Sequence, residues 1–247
     1  MGDFLLLLSG NEIPYPAAGL VVHNPTLKEI AYLGEEDFFT GYQMLIISKN
    51  VLIEEDKINL EKLTNFDILI AILRERNAVM QKNRNCVKQI LELIIPGYEV
   101  SFTTDKIVFK NDSEEKFLNK DNFDNFQILL KTMFSFGDEE GVPQDFNPDG
   151  RLAAKIAEKL KKRHQILAAQ GKGDSQDIIG RYASILSIGA SVPLTEIFNY
   201  TLYQLFDQLK RYQLYAGYDI YLKAKMAGAK DLEDPEDWMK SFHSKKK

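Results

Sequence analysis

The sequence predicts a mostly helical α+β protein, with N-terminal helices carrying small antiparallel β-hairpins and a helical C-terminal domain. Three observations predict it. Apolar residues recur at helical spacing over 59–95, 122–136 and 178–226, the spacing that turns one face of a helix toward a core. Two alternating runs, YEVSF (98–102) and KIVFK (106–110), flank Thr103-Thr104-Asp105 and read as a β-hairpin. Between the two parts lies GDEEGVPQDFNPDG (137–150), whose three glycines, two prolines and five acidic residues carry little periodicity. The expected organisation is an α+β domain over 1–137, an acidic linker loop over 138–150 and a helical domain over 151–247. A single continuous helical domain decorated by hairpins fits the same pattern.

Taken in order, Phe4–Leu8 and Gly19–His23 are short apolar runs separated by IPYPAAG, whose prolines and glycine suit a loop between two strands. Asn24-Pro25-Thr26 then offers a helix cap. Leu27, Ile30, Leu33, Phe38, Tyr42 and Leu45 keep a helical period interrupted near Gly34 and Gly41, so two helices joined at Gly34 fit as well as one. A helical pattern from Asn59 to Ile95 stops at Pro96-Gly97. The hairpin follows, then a helix from about 122 to 136. Beyond the boundary, Arg151–Gln170 is amphipathic and basic, Gln170–Ser175 is a flexible joint, and Ile178–Ile188 leads through Pro193 into the final helices. There Leu194, Ile197, Phe198, Leu202, Leu205, Phe206, Leu209 and Tyr212 keep helical spacing. Lys210-Arg211-Tyr212 reads as a short turn into a second amphipathic segment, Tyr215–Met226, which stops at Gly228. An acidic tail, Asp231–Trp238, carries the chain's single tryptophan.

Composition bounds the function. A length of 247 residues with 45% hydrophobic content supports one sizeable core or two small ones. A net charge of −5 argues against a general nucleic-acid binder, whose footprint would be basic. The lone cysteine, Cys86, cannot form an internal disulfide and reads as a small buried hydrophobe in a protein of a reducing cytoplasm. The N-terminal run of four leucines follows Asp3, where an export signal would be positive, and is too short to span a membrane. Met1-Gly2 opens like a myristoylation signal, but Leu6 stands where Ser or Thr is wanted.

Chemical motifs are few. Asp145, Asn147, Asp149 and Gly150 reproduce the opening of a calcium loop, yet Ile156 occupies the position of the closing glutamate and Ala153 offers no oxygen at the ninth. An acidic turn capping the helix at Arg151 accounts for the same residues. Only if these three side chains held an ion would a metal-dependent enzyme be in view. His23, His164 and His243 form no zinc-type pair, no G-x-S-x-G elbow frames a serine, and no glycine-rich phosphate loop exists. The expectation is therefore no catalytic residue, no cofactor and no metal. The basic face of Lys155, Lys159, Lys162 and Arg163 opposes Leu152, Ile156, Leu160 and Leu167, as on a solvated helix.

What remains is a surface for binding. Large aromatics crowd the last quarter of the chain, more than a unit of two or three helices can bury, and interfaces concentrate their energy in such side chains. The expected partner contact is carried by Tyr203, Phe206, Tyr212, Tyr218 and Trp238.

Two stretches resemble a known family. HNPTLKEIAYLGEEDFF (23–39) resembles the P-[TL]-[TI]-x-E-I-x-x-[IL]-G-E signature of proteins from the tail gene cluster of long-tailed bacteriophages. The segment from TLYQLFDQLKRYQLYAGYDIYLKAKMAGAK to DLEDPEDWM (201–239) is similar to the closing segment of phage proteins often labelled tail assembly chaperones. The resemblance implies a non-enzymatic protein of the host-cell cytoplasm, with no membrane association. Its implied partner is the tape-measure protein or the tail-tube protein, bound during virion morphogenesis, with weak self-association along a long partner. A structural adaptor or other component of the virion is the alternative it leaves open.

Overall fold

The structure is a computed structural model, which describes residues 4–48, 63–74, 78–134, 177–229, 234, 235 and 239. Elements are numbered through those residues. The fold is mixed, mostly helical, with a two-stranded and a three-stranded antiparallel sheet.

Phe4–Ser9 is a helix, α1, where an apolar run suggested a strand. Leucine is a strong helix former, and a run this short carries no period to distinguish the two. Gly10, with φ of 71°, ends it. The β-pair exists but starts later: β1 (Ile13–Tyr15) pairs with β2 (Leu20–Val22), with Ile13 opposite Val22. The expected loop shrinks to one 3₁₀ turn, Pro16–Ala18, closed by Gly19 in the left-handed region at φ 63°.

Thr26 caps α2 (Leu27–Leu33) as the sequence suggested, in a reciprocal box with Glu29. Gly34, at φ 100° and ψ 124°, separates α2 from α3 (Glu35–Leu45). Three acids, Glu35, Glu36 and Asp37, stand in the first turn of α3, where the helix dipole favours negative charge. The helical pattern before Pro96-Gly97 resolves into α4 (Asn65–Arg74) and α5 (Ala78–Ile94). α3 crosses α5 so closely that a Cβ on Gly41 would lie 2.7 Å from the Cys86 backbone. Cys86 is buried there, as expected.

The hairpin is present as β3 (Glu99–Phe102) and β4 (Ile107–Lys110), in register Phe102 to Ile107. A third strand, β5 (Glu115–Leu118), extends it and has no counterpart in the sequence reading. Its run, EKFL, buries only Leu118, so it carries almost no apolar alternation. The turn before it is local: Asn111 Oδ1 accepts from the amides of Ser113 and Glu114, both at 2.9 Å. α6 (Phe123–Phe134) follows, and its Gln127 amide nitrogen donates to the carbonyls of Leu45 and Ile47, at 2.8 and 2.9 Å.

After residue 177 come α7 (Ile178–Ala190), the single turn α8 (Leu194–Ile197) and α9 (Leu202–Met226). The break expected at Lys210-Arg211-Tyr212 is absent, because α9 runs through it for 25 residues. Arg211 Nε donates to Asp207 Oδ2 at 2.8 Å, a pairing four residues apart that favours helix at that point. The expected end at Gly228 holds, with φ of 86°.

A continuous core joins these elements. Phe38, Leu69, Ile90, Phe109, Phe126 and Phe134 from the first part belong to it together with Ile179, Ala183, Leu186, Ile197, Leu202 and Leu205. The linker loop 138–150 and the helix expected over 151–170 lie outside the described residues, so the expected boundary does too. What the structure does describe is the contact between the two sides. Thr26 and Thr201 form an antiparallel bridge, and the amides of Leu27 and Lys28 donate to the carbonyls of Tyr200 and Phe198, at 2.8 and 2.9 Å. Gln204 Nε2 donates to Leu8 O at 2.7 Å. Glu35 Oε1, at the start of α3, accepts from the Ile178 and Ile179 amides, at 2.7 and 3.2 Å, and so satisfies two amides at the open end of α7.

Candidate functional site

The first half of α9 is built to pack and the second half is not. Thr201 caps the helix in a second reciprocal box, with its hydroxyl accepting from the Gln204 amide while Gln204 Oε1 accepts from the Thr201 amide at 2.8 Å. Leu202, Leu205 and Leu209 then face the core, and Asp207 is buried beside Arg211. Beyond Leu209 no residue of α9 is buried. Yet the composition stays apolar, and Tyr215, Leu222, Ile220 (66% exposed) and Met226 (87% exposed) face solvent. On α7, Ile185 and Ile188 (83% exposed) do the same.

The aromatics singled out from sequence occupy different environments. Tyr203 and Phe206 are half-buried and pack against the core, Phe206 edge-on to Tyr182 with ring centroids 5.8 Å apart. Burial, with the Asp207 carboxylate adding to it, pushes the Tyr203 hydroxyl up to about 12. Tyr212 is also half-buried, and its ring fills the space that a side chain at position 189 would take, 2.2 Å from a Cβ built on Gly189. Tyr218 is half-exposed and lies outside the core. Trp238 lies outside the described residues. The structure thus brings Tyr203, Phe206 and Tyr212 together along the packed part of α9 and places Tyr218 on the other part.

Sequence reasoning missed Ile220, Leu222 and Met226, together with Ile185 and Ile188. Their helical spacing was legible, but spacing marks an apolar face without saying whether anything covers it. A signal did exist in the apolar residues of 214–226, Leu214, Tyr215, Tyr218, Ile220, Tyr221, Leu222 and Met226, which spread around the helix in place of one stripe. The tail also returns to this half, since Tyr221 donates its hydroxyl to Asp234 Oδ1 at 3.0 Å.

His23 Nε2 lies 3.1 Å from Glu29 Oε1, next to the α2 cap. Burial alone would raise the Glu29 carboxyl, but hydrogen bonds from the Thr26 amide and hydroxyl and the nearness of His23 outweigh it and leave it lowered. Asp145, Asn147 and Asp149, the basic face at 155–163, His164 and His243 all lie outside the described residues. Among the described residues, no group of three His, Cys, Asp or Glu side chains is placed to hold a metal ion. No described helix is long and apolar enough to cross a membrane.

These features describe a mostly helical α+β protein whose α9 carries exposed apolar side chains. Residues 178–243 match the family described as the YomV second domain. That family is phage-associated, so the match points to a phage protein, and it starts at the first residue of α7. No curated protein and no solved structure matches the chain.

Proposed function

We propose that this chain is a non-enzymatic phage tail assembly chaperone. In the host cytoplasm it shields an apolar segment of the tape-measure or tail-tube protein against the far half of α9. The observation that carries the reading is the row of exposed Tyr215, Leu222 and Met226, which helical spacing places on one face of α9, within the segment similar to a phage-associated family. Monomeric soluble proteins rarely leave such apolar surface uncovered unless something docks on it. An amphipathic partner helix suits it, because side chains at helical spacing interleave with others at helical spacing. Tyr218 sits on the same half of α9.

The test is a double variant, Leu222→Ser with Met226→Ser, in the full chain. Both side chains are exposed, so the melting temperature stays within about 1–2 °C of wild type. Pull-down of the tape-measure or tail-tube protein should fall at least tenfold. Unchanged capture of both proteins by a folded variant removes this surface from the reading. Stoichiometric copies of the chain in purified virions would favour the structural-adaptor alternative.

A further inference from the structure

We propose that a depression between the end of α4, the start of α5 and the β3–β4 turn is a binding site for a small phosphate-bearing anion. The site is independent of the α9 surface and sits on the other part of the chain. Its volume is about 390 Å³, enough for a phosphate group with a substituent. Arg74 and Arg84 line it together with Gln81 and Thr104, and Ile70 and Leu73 supply an apolar wall.

Four considerations lead to a phosphate. Both arginines are exposed at this wall, and neither makes an ion pair among the described residues, while Lys82, Lys88, Lys116, Arg211 and Lys223 each do. A guanidinium presents a planar fork of donors, and two of them beside the Thr104 hydroxyl suit a group with three equivalent oxygens better than a single carboxylate. Arg84 is already oriented, since its guanidinium carbon lies 5.4 Å from the centre of the Phe102 ring. The apolar wall strengthens the attraction by keeping high-dielectric water from one side.

The opposite turn is fixed as well. Thr103 Oγ1 accepts from the Lys106 amide and donates to Lys106 O, both at 3.0 Å. The acid of that turn, Asp105, accepts from the same hydroxyl at 3.2 Å and is not among the lining residues. No glycine-rich loop is involved, so no sequence motif announces the site.

The test is calorimetric titration of the full chain with inorganic pyrophosphate at low salt, with adenosine triphosphate in a second arm. Saturable binding at one site is expected. Arg74→Ala and Arg84→Gln should each weaken it at least tenfold without lowering the melting temperature, and Lys88→Ala, also on α5, should leave it unchanged. Tighter binding of the triphosphate would assign the site to a nucleotide, and equal binding would assign it to the phosphate group alone. No saturable binding in either arm, or the same affinity in an Arg74→Ala/Arg84→Gln double variant, overturns the proposal.

Discussion

Replacing Gly41 by alanine tests the close crossing of α3 and α5. Two effects of opposite sign compete. Alanine is the better helix former, which on a free helix stabilises by about 1 kcal/mol. Against this, the new Cβ would stand 2.7 Å from the carbonyl carbon and oxygen of Cys86 and 2.8 Å from Ile90 Cδ1. Ile90 can turn away, but the Cys86 backbone is part of α5 and cannot. Restoring a carbon contact of about 3.5 Å requires α3 and α5 to separate by roughly 0.8 Å, and a gap of that size forfeits a quarter to a half of each dispersion contact across the crossing. Phe38, Tyr42 and Leu45, all on α3, lie in the core that this crossing organises.

Overpacking costs about 1–3 kcal/mol and a clash with backbone falls at the upper end, so the net expectation after the gain in propensity is about 2 kcal/mol of lost stability. The control is the same substitution at Gly217, in α9, where a Cβ meets nothing within 4 Å. There only the propensity gain operates, and about 0.5–1 kcal/mol of added stability is expected. Urea unfolding followed by circular dichroism should therefore move the two midpoints in opposite directions. A Gly41→Ala protein as stable as wild type would show that the helices are not held at this distance and would refute the reasoning.

Three further outcomes follow from the same geometry. Tyr42 is 6% exposed and burial pushes its hydroxyl up to about 12, so its contribution to stability is complete below pH 10 and is lost as pH rises from about 10 to about 12. Tyr42→Phe should flatten that part of the pH–stability curve, where wild type loses about 2 kcal/mol to this group, and an unchanged alkaline limb would count against the burial. Thr201→Ala removes the hydroxyl that caps α9 and should cost about 1 kcal/mol by chemical unfolding, whereas Thr201→Ser should cost well under half of that. Glu35→Ala leaves the Ile178 and Ile179 amides without their carboxylate, and hydrogen exchange should quicken in the first turn of α7 while α5 keeps its protection.

Local chemistry was what the sequence disclosed best. Thr26, Gly34, Pro96-Gly97, Gly228 and the 98–110 hairpin all stand where the chain said they would, because caps, breaks and tight turns depend on a few neighbouring residues. α1 was misread because four leucines pack equally well as helix or strand, and the choice falls to the surface that receives them. β5 was unreadable because pairing with β4, and not its own apolar content, holds it in place. The expected turn at 210–212 failed because the Arg211–Asp207 pair favours helix where the short basic and aromatic run Lys210-Arg211-Tyr212 suggested a break. For the candidate site, the crowding of aromatics was visible, but the sorting of Tyr203, Phe206 and Tyr212 from Tyr218 was not. That sorting depends on where α7 ends against α9, a fact about Gly189 and Tyr212, which are 23 positions apart in sequence.

The contact of Tyr212 with Gly189 is also a fulcrum. From Leu209, the last buried residue of α9, to Met226 the helix axis advances about 25 Å, so a tilt of about 10° at the base swings the tip by about 4 Å. The ring at 212 sits where that tilt is set, and the absence of a side chain at 189 lets it sit there. A methyl group at 189 would meet only the far end of the Tyr212 ring, so the ring swings aside before any backbone moves. The base of the distal arm would then lose the side chain that seats it, with every residue on the arm's surface unchanged.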